Sequence, residues 1–578
     1  MIALAIIGSA AWSISLPIGI CIVALIAIVS ISYRQTIHAY PHGGGSYTVA
    51  KENLGVPYGL VAAASLLTDY VLTVAVSVAS GIQAIIAVFP NWGTYRVELC
   101  VIAVAIVALA NLRGLRESGA LFAPPTYVFI SCLYVLVGVG LFKVWVLHDV
   151  NKIVPASYAL PVLTPVSLFI ILRAFSSGCS ALTGIEAIAN GVPAFKPPES
   201  RNAATTMTIM AIILGSLVLG ITYLGHVYHA LPGTFITEHN LHNLPNYKIL
   251  KDQTLIAQLI DHIFGRGWFY TIAQFATMAI LVLAANTAFQ DFPRLSSILA
   301  RDRFAPRQLT NVGDRLVFSN GITLLSLFAV LLLIRFHGET TRLIPLYAVG
   351  VFISFTLSQW GMAVRQHRLK HKNWQGTMAL SLFGGIITCT VALVIGISKF
   401  VIGAWMAVAI IFILVMVFFK IHQHYIELGT QLRLHDEDLL EPVETKTTSI
   451  VLTAGIHRGI WPALKYARSL SHDCRALYIE IDPSETPLVR ERWEKYGLGV
   501  PLVILESPYR SVVGPTVKYI EEAKKERPDY VITVVLPEFV PKKWWHKLLH
   551  NQSGIVLKIR LMLMKDIIVT NSRYYLTR

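Results

Sequence analysis

An aspartate in the middle of a long apolar segment is the residue of this chain best placed to do chemistry. The segment SLLTDYVLTVAVSVASG contains Asp69, and a carboxylate in such surroundings is costly unless it is paired or hydrated. At 100° per residue, Tyr70, Thr73 and Ser77 fall on the same helix face as Asp69. Such an oxygen-lined face is typical of a hard-cation site. Alternatively, Asp69 joins two helices and the hydroxyls bond to their own turn.

A second apolar segment, ILRAFSSGCSALTGIEAIANGVP, carries small and hydroxyl residues that disfavour a continuous helix. Broken helices at membrane depth present carbonyls and half-helix dipoles that bind ions and substrates. Thr183 follows the break, and Glu186 adds a second carboxylate less than a turn later. Close helix packing would explain the small residues equally simply. The predicted unwound segment comprises Ser176, Ser177, Gly178, Ser180 and Gly184.

Tyr347 begins another apolar segment, just after Pro345, and either lines a pathway or lies at the membrane interface. No histidine has metalloprotease spacing, and the six cysteines form neither a C-x-x-C pair nor a metal-ligand pattern. The sequence therefore predicts no enzyme, no resident metal and no cofactor.

The overall composition identifies the elements that carry these residues. The 578 residues are 54% hydrophobic and only 14% charged, whereas a soluble protein carries about 25% charged residues. Residues 1–420 hold 40 of the 81 charges, and the remaining 158 residues hold 41. We therefore predict a membrane domain over 1–420, a linker over 421–444 and a soluble domain over 445–578.

Apolar spans of membrane-crossing length recur along the first domain. Fifteen Lys and Arg residues lie in the loops on one side, against about nine on the other, which places that side and the C-terminal domain in the cytoplasm. The net charge of +15 is therefore a topology signal rather than evidence for nucleic-acid binding. An apolar N-terminal piece, too short to cross alone, precedes eleven predicted spans: 17–33, 58–89, 97–112, 121–147, 166–190, 205–230, 267–290, 318–334, 343–364, 377–398 and 399–419.

The last 134 residues alternate strand and helix patterns. The predicted strands are TSIVLTAG, ALYIEID, PLVILES, DYVITVVL and DIIVT, with a basic amphipathic helix from Lys542 before the last one. Such alternation predicts a parallel, doubly wound sheet.

Several motifs together resemble the bacterial KimA-type potassium importers of the amino acid–polyamine–organocation superfamily. They are YRQTIHAYPHGGGSYTVAKENLG, SLLTDYVLTVAVSVASG, NLRGLRESG, LRAFSSGCSALTGIEAIANGVPAFKPP and FQDFPRLSSILARDRFAPRQ. The resemblance implies an all-α polytopic membrane protein with a LeuT-like 5+5 inverted repeat of about 12 helices, helices 1 and 6 being unwound. It also implies proton-coupled potassium uptake across the cell membrane and a homodimer joined through the cytoplasmic domains.

The resemblance also implies roles for individual residues. The family's ion-binding and proton-coupling residues match Asp69, Tyr70, Thr73 and Ser77 on helix 3, Thr183 and Glu186 on helix 6, and Tyr347 on helix 10. The family's helix 1 carries an acidic residue and a tyrosine upstream of anything present here. We therefore expect MIALAIIGSAAW to be only the outer half of that helix, from either a misassigned start or a truncated product.

The C-terminal domain resembles universal stress proteins but lacks their glycine-rich nucleotide segment, since its fourth strand continues into LPEFVPKKWW. ATP binding is therefore disfavoured. Family resemblance implies inhibition by cyclic di-AMP, for which Arg510 is either a phosphate contact or a solvated surface residue. Two alternatives to potassium import remain: an amino-acid or polyamine permease of the same superfamily, and a membrane signalling receptor with the C-terminal domain as its output.

Overall fold

The chain folds into two units that divide after Leu432. The computed structural model describes residues 10–41, 43, 45–114, 119–148, 151–153, 167–231, 253–311, 317–347, 349–370, 373–433, 446–507, 511–540 and 553–575. The last helix of the first unit continues to Gln431, so the linker predicted over 421–444 begins too early. The segment from Lys420 to Leu428 is more polar than the span before it but contains no glycine or proline. The helix therefore continues beyond its apolar span.

The described part of the first unit consists of helices. In chain order they are α1 Ala10–Ala39, α2 Gly45–Leu54, α3 Val56–Val88, α4 Arg96–Leu112, α5 Gly119–Trp145, α6 Leu168–Gly178, α7 Ile185–Asn190, α8 Glu199–Val227, α9 Leu255–Phe264, α10 Trp268–Arg301, α11 Ser319–Arg335, α12 Thr340–Leu343, α13 Val349–Leu369, α14 Trp374–Lys399 and α15 Trp405–Gln431.

Within the described residues, nine helical stretches are long and apolar enough to cross a membrane. Two of the eleven predicted spans are not among them. The helix α11 has only 17 residues, and α13 carries Ser354, Thr356 and Ser358 on buried surface. Because α13 packs inside the bundle, it tolerates polar side chains that a lipid-facing helix would not.

The first described helix begins earlier than the sequence predicts. The span predicted at 17–33 is part of α1, which starts at Ala10 and passes through Pro17. A proline is tolerated inside a membrane helix because neighbouring groups satisfy the carbonyl it leaves free. Residues 10–12 therefore belong to this helix rather than to a separate N-terminal piece, and residues 1–9 lie outside the described ranges.

The helix α3 forms the centre of the first unit. It packs against α10 and α13, and 61% of its apolar window is buried. At its crossing with α13, a Cβ added to Gly350 would lie 2.6 Å from the Ser65 carbonyl oxygen. This close approach places the polar face of α3 against the turn that precedes α13.

The second unit is a five-stranded parallel sheet with helices on both faces. Its strand order is β3-β2-β1-β4-β5. All four strand pairs are parallel, as the βαβ alternation predicts. The basic helix predicted from Lys542 is described only from Ser553, and residues 541–552 lie outside the described ranges. The elements are β1 Lys446–Thr453, α16 Trp461–Leu470, β2 Asp473–Glu480, α17 Thr486–Tyr496, β3 Leu502–Glu506, α18 Val513–Glu526, β4 Tyr530–Val540, α19 Ser553–Met562 and β5 Ile567–Tyr575.

An ionic network at the start of β2 joins neighbouring elements of this unit. Asp473 accepts hydrogen bonds from Thr448 at 2.9 Å and from Arg475 at 3.1 Å, and it also pairs with Arg527. Partial burial alone would raise the pKa of Asp473, but the hydrogen bonds from Thr448 and Arg475 and the charges of both arginines outweigh it and lower that pKa.

Candidate functional site

The helix predicted at 166–190 is interrupted where its small residues lie. The helix α6 ends at Gly178, a 3₁₀ turn covers Cys179–Leu182, and α7 begins at Ile185. The prediction that this segment is unwound is wrong in detail. Ser176, Ser177 and Gly178 remain α-helical, and Gly184 has helical dihedral angles. The chain is tightened here rather than extended.

Hydroxyls in this tightened segment bond to their own turns. Ser176 and Ser177 donate to the Arg173 carbonyl at 2.8 and 3.1 Å, and Ser180 donates to the Ser177 carbonyl at 2.8 Å. Such local bonds bend helices and stabilise the bend. These serines therefore shape the break. Two side chains connect it to neighbouring segments: Ser176 Oγ lies 3.4 Å from Ser398 Oγ on α14, and Thr183 accepts from Tyr347.

A chain of hydroxyls joins α3, the break and the turn before α13. Tyr347 donates to Thr183 Oγ1 at 2.8 Å, and Thr73 Oγ1 lies 3.2 Å from the Tyr347 hydroxyl. Thr73 Oγ1 also lies 3.4 Å from Asp69 Oδ2, one turn earlier on α3. Four of the predicted site residues, from three separate parts of the chain, thus form one contiguous set of oxygens.

Asp69 is the charged member of this set. Its side chain is buried, with 4% of the residue exposed, and Oδ1 accepts no hydrogen bond from any described residue. The carboxylate acting on it most strongly is Glu186, which adds repulsion rather than compensation. Across the described ranges, neither carboxylate forms an ion pair with a basic side chain. Two buried carboxylates without a basic partner favour a bound cation.

Glu186 accepts hydrogen bonds from residues outside the hydroxyl chain. Its Oε1 accepts from both the backbone N–H and the hydroxyl of Ser46, at 3.3 and 2.5 Å, and its Oε2 accepts from Ser354 Oγ at 3.1 Å. Sequence reasoning missed both serines. The available indications were the glycine run before Ser46 and the four-residue spacing of Ser354 and Ser358 on one helix face.

The remaining predicted residues occupy different surroundings. The Tyr70 hydroxyl accepts from Asn190 Nδ2 at 2.9 Å and so faces the end of α7. Ser77 is buried one turn beyond Thr73 on α3. Arg510, the predicted phosphate contact in the second unit, lies outside the described residues. The predicted set therefore divides into a contiguous core around Asp69 and Tyr347, and flanking groups at Glu186 and Tyr70.

Comparison with known proteins assigns both units. The amino acid permease model matches residues 1–427, and the model of the KimA potassium transporter C-terminal domain matches residues 444–574. The potassium transporter KimA of Bacillus subtilis (strain 168) is 43% identical over 578 residues, covering 100% of this chain and 92% of that protein. The chain belongs to the KimA family. This membership confirms the resemblance seen in the motifs and makes the chain a multi-pass membrane permease with a KimA-type C-terminal domain.

Proposed function

We propose that the chain is a transporter that imports potassium ions, by alternating access and coupled to protons. The observation that carries this proposal is the unpartnered Oδ1 of buried Asp69 beside the Thr73–Tyr347–Thr183 hydroxyl chain. Family membership supports the same cargo, since the 43% identical relative is a potassium transporter.

The chemistry of the oxygen set suits a potassium ion as cargo. Hydroxyl and carbonyl oxygens can replace a potassium hydration shell, and one carboxylate neutralises its charge. Thr73 and Tyr347 come from different helices, so a relative movement of these helices would change the number of oxygens that face the ion. Binding and release would then follow from the conformational change itself.

Glu186 is our candidate for proton coupling. It is buried, with 3% of the residue exposed, and it interacts electrostatically with Asp69. The two buried carboxylates repel each other, so a potassium ion at Asp69 and a proton on Glu186 would satisfy both charges.

Architecture and assembly form a further part of the proposal. A helix break beside the ion-binding residues supports a LeuT-like 5+5 repeat, and the parallel order β3-β2-β1-β4-β5 supports a universal-stress-protein-like fold. We also propose a homodimer formed through the cytoplasmic domain, with inhibition by cyclic di-AMP.

Growth and uptake test the cargo directly. A bacterium deficient in potassium uptake is expected to grow at micromolar potassium when it produces this protein, expressed from Met1 or with its upstream codons included. Purified protein in proteoliposomes should take up rubidium as a potassium analogue, driven by an inward proton gradient. Absence of uptake from both versions, together with uptake of an amino acid, would establish the permease alternative instead.

A further inference from the structure

The short helix α2 lies between the predicted ion site and the cytoplasmic end of α10. Its first turn contacts Glu186 through Ser46, and its outer side contacts Asp302 through Tyr47 and Lys51. Nothing in the sequence motifs or the family comparisons assigns a role to this helix. Its two sets of contacts connect groups that lie on different parts of the bundle.

Glu186 caps the N-terminus of α2 from another segment of the chain. The backbone N–H of Ser46 has no partner within its own helix, and it donates to Glu186 Oε1 at 3.3 Å, while the Ser46 hydroxyl donates at 2.5 Å. A carboxylate at this position also interacts favourably with the helix dipole. The negative charge of Glu186 is thus one of the forces that hold the start of α2 in place.

Backbone packing makes this junction tight. Gly45 has a φ of +46°, and a Cβ there would lie 1.6 Å from Asn190 Oδ1 at the end of α7. Only glycine fits both the dihedral and the space. The start of α2 therefore packs directly against the segment that carries Glu186. A displacement of one of these two segments must displace the other.

The other contact joins α2 to the residue that follows α10. The Tyr47 hydroxyl and Lys51 Nζ both lie 2.6 Å from Asp302 Oδ2. The phenol of Tyr47 is buried, with 1% of the residue exposed, while Lys51 and Asp302 are about one-third exposed at the cytoplasmic side. This ion pair fixes α2 to the end of α10.

We infer that α2 transmits the charge state of Glu186 to the cytoplasmic end of the bundle, with Ser46 as the positioning residue. The inference rests on the proposed potassium transport. In the loaded transporter of the proposed function, potassium lies at Asp69 and a proton lies on Glu186. The neutral Glu186 then makes weaker hydrogen bonds to Ser46 and no longer caps α2 with a negative charge. The helix then loosens on the side from which an importer must release its cargo.

Hydrogen–deuterium exchange on the full chain in lipid nanodiscs tests this, in potassium or sodium chloride at equal concentration. In the unmodified protein, amides of α2 are expected to exchange several-fold faster in potassium. Ser46→Ala should raise their exchange in sodium about tenfold, because a hydrogen bond to a charged group is lost, and should abolish the response to potassium. Ser46→Thr, which retains the hydroxyl, should restore that response.

Ser354→Ala is the matched control, because it removes a hydroxyl from the same carboxylate without touching α2. It should leave the potassium response of α2 intact. If α3 and α7 respond to potassium while α2 does not, the inference is wrong and the proposed function stands. If no segment responds, the proposed function fails as well.

A second variant covers the case in which Ser46→Ala does not fold. Asp302→Asn breaks the ion pair at the other end of α2 and lies outside the ion site. It should raise exchange in α2 about tenfold and leave potassium affinity within about twofold of the unmodified protein. Unchanged exchange in α2 would show that this contact does not hold the helix, and would overturn the inference.

Discussion

Replacing Asp69 by asparagine separates the requirement for a negative charge from the requirement for side-chain shape. Asparagine has nearly the same volume, so packing around α3 should persist. What is lost is the single negative charge within the oxygen set formed with Thr73, Tyr347 and Thr183. If this set binds a potassium ion, the potassium affinity of the Asp69→Asn protein must be far lower than that of the unmodified protein.

The size of the effect follows from the geometry. Thr73 Oγ1 lies 3.4 Å from Asp69 Oδ2, so an ion that contacts both has its centre about 4 Å or less from the carboxylate charge. Two unit charges at ~4 Å attract each other by about 4 kcal/mol at an effective dielectric constant of ~20. That corresponds to roughly three orders of magnitude in Kd.

Whereas potassium affinity should fall in Asp69→Asn, the stability of the potassium-free protein should not fall. The unmodified protein buries a carboxylate whose Oδ1 accepts no hydrogen bond from a described residue, which is costly without a cation. In potassium-free buffer, the Tm of Asp69→Asn should therefore equal or exceed that of the unmodified protein. Added potassium should raise the Tm of the unmodified protein only.

Rubidium uptake, growth at micromolar potassium and Tm with and without potassium together form the assay. Thr68→Val is the control, because Thr68 is the neighbouring buried polar residue and its hydroxyl bonds to the Ala64 carbonyl of its own helix. That variant should retain potassium affinity. An Asp69→Asn protein that takes up rubidium with unchanged KM would refute the assignment and leave Asp69 a structural residue.

Three further outcomes are expected. Tyr347→Phe should weaken potassium binding about tenfold, measured as the KM for rubidium uptake, because it removes the hydroxyl between Thr73 and Thr183; an unchanged KM would contradict this. Gly350→Ala should destabilise the membrane unit by about 1–3 kcal/mol and lower its Tm, since its Cβ meets the Ser65 carbonyl at 2.6 Å; an unchanged Tm would exclude that crossing. Because the pKa of Asp473 is lowered, its stabilisation should be complete above the ordinary value of about 3.9 and lost as the pH falls further. Asp473→Asn should remove this acid-dependent part of the unfolding curve, and an identical pH profile would exclude its contribution.

Local patterns were sufficient for the elements of the fold. Apolar runs of about twenty residues must become helices in a bilayer, because no other local structure satisfies the backbone there. Period-two and short apolar runs between turns similarly predicted the strands of the parallel sheet. The division after Leu432 falls inside the linker predicted over 421–444, but the first residues of that linker belong to the last helix, because the composition changes before the helix ends.

The site was only partly predictable. Asp69, Thr73 and Ser77 share a helix face, so their proximity follows from periodicity alone. Tyr347 contacts Thr183 and Thr73, which lie 164 and 274 positions away along the chain. Only the family resemblance placed these three residues in one site. Ser46 and Ser354 were missed because a glycine run and a four-residue serine spacing do not identify a partner, and the importance of both serines lies in their proximity to Glu186.

The sequence by itself determined that this protein crosses the membrane and which carboxylates lie in its apolar segments, since these depend on composition and periodicity. Only the tertiary structure decided how those carboxylates are used. Asp69 keeps an oxygen without a hydrogen-bond partner among the described residues, whereas Glu186 is held by Ser46 and Ser354. The physical reason is that helix packing, and not local sequence, brings donors from distant segments to one carboxylate and leaves the other without them.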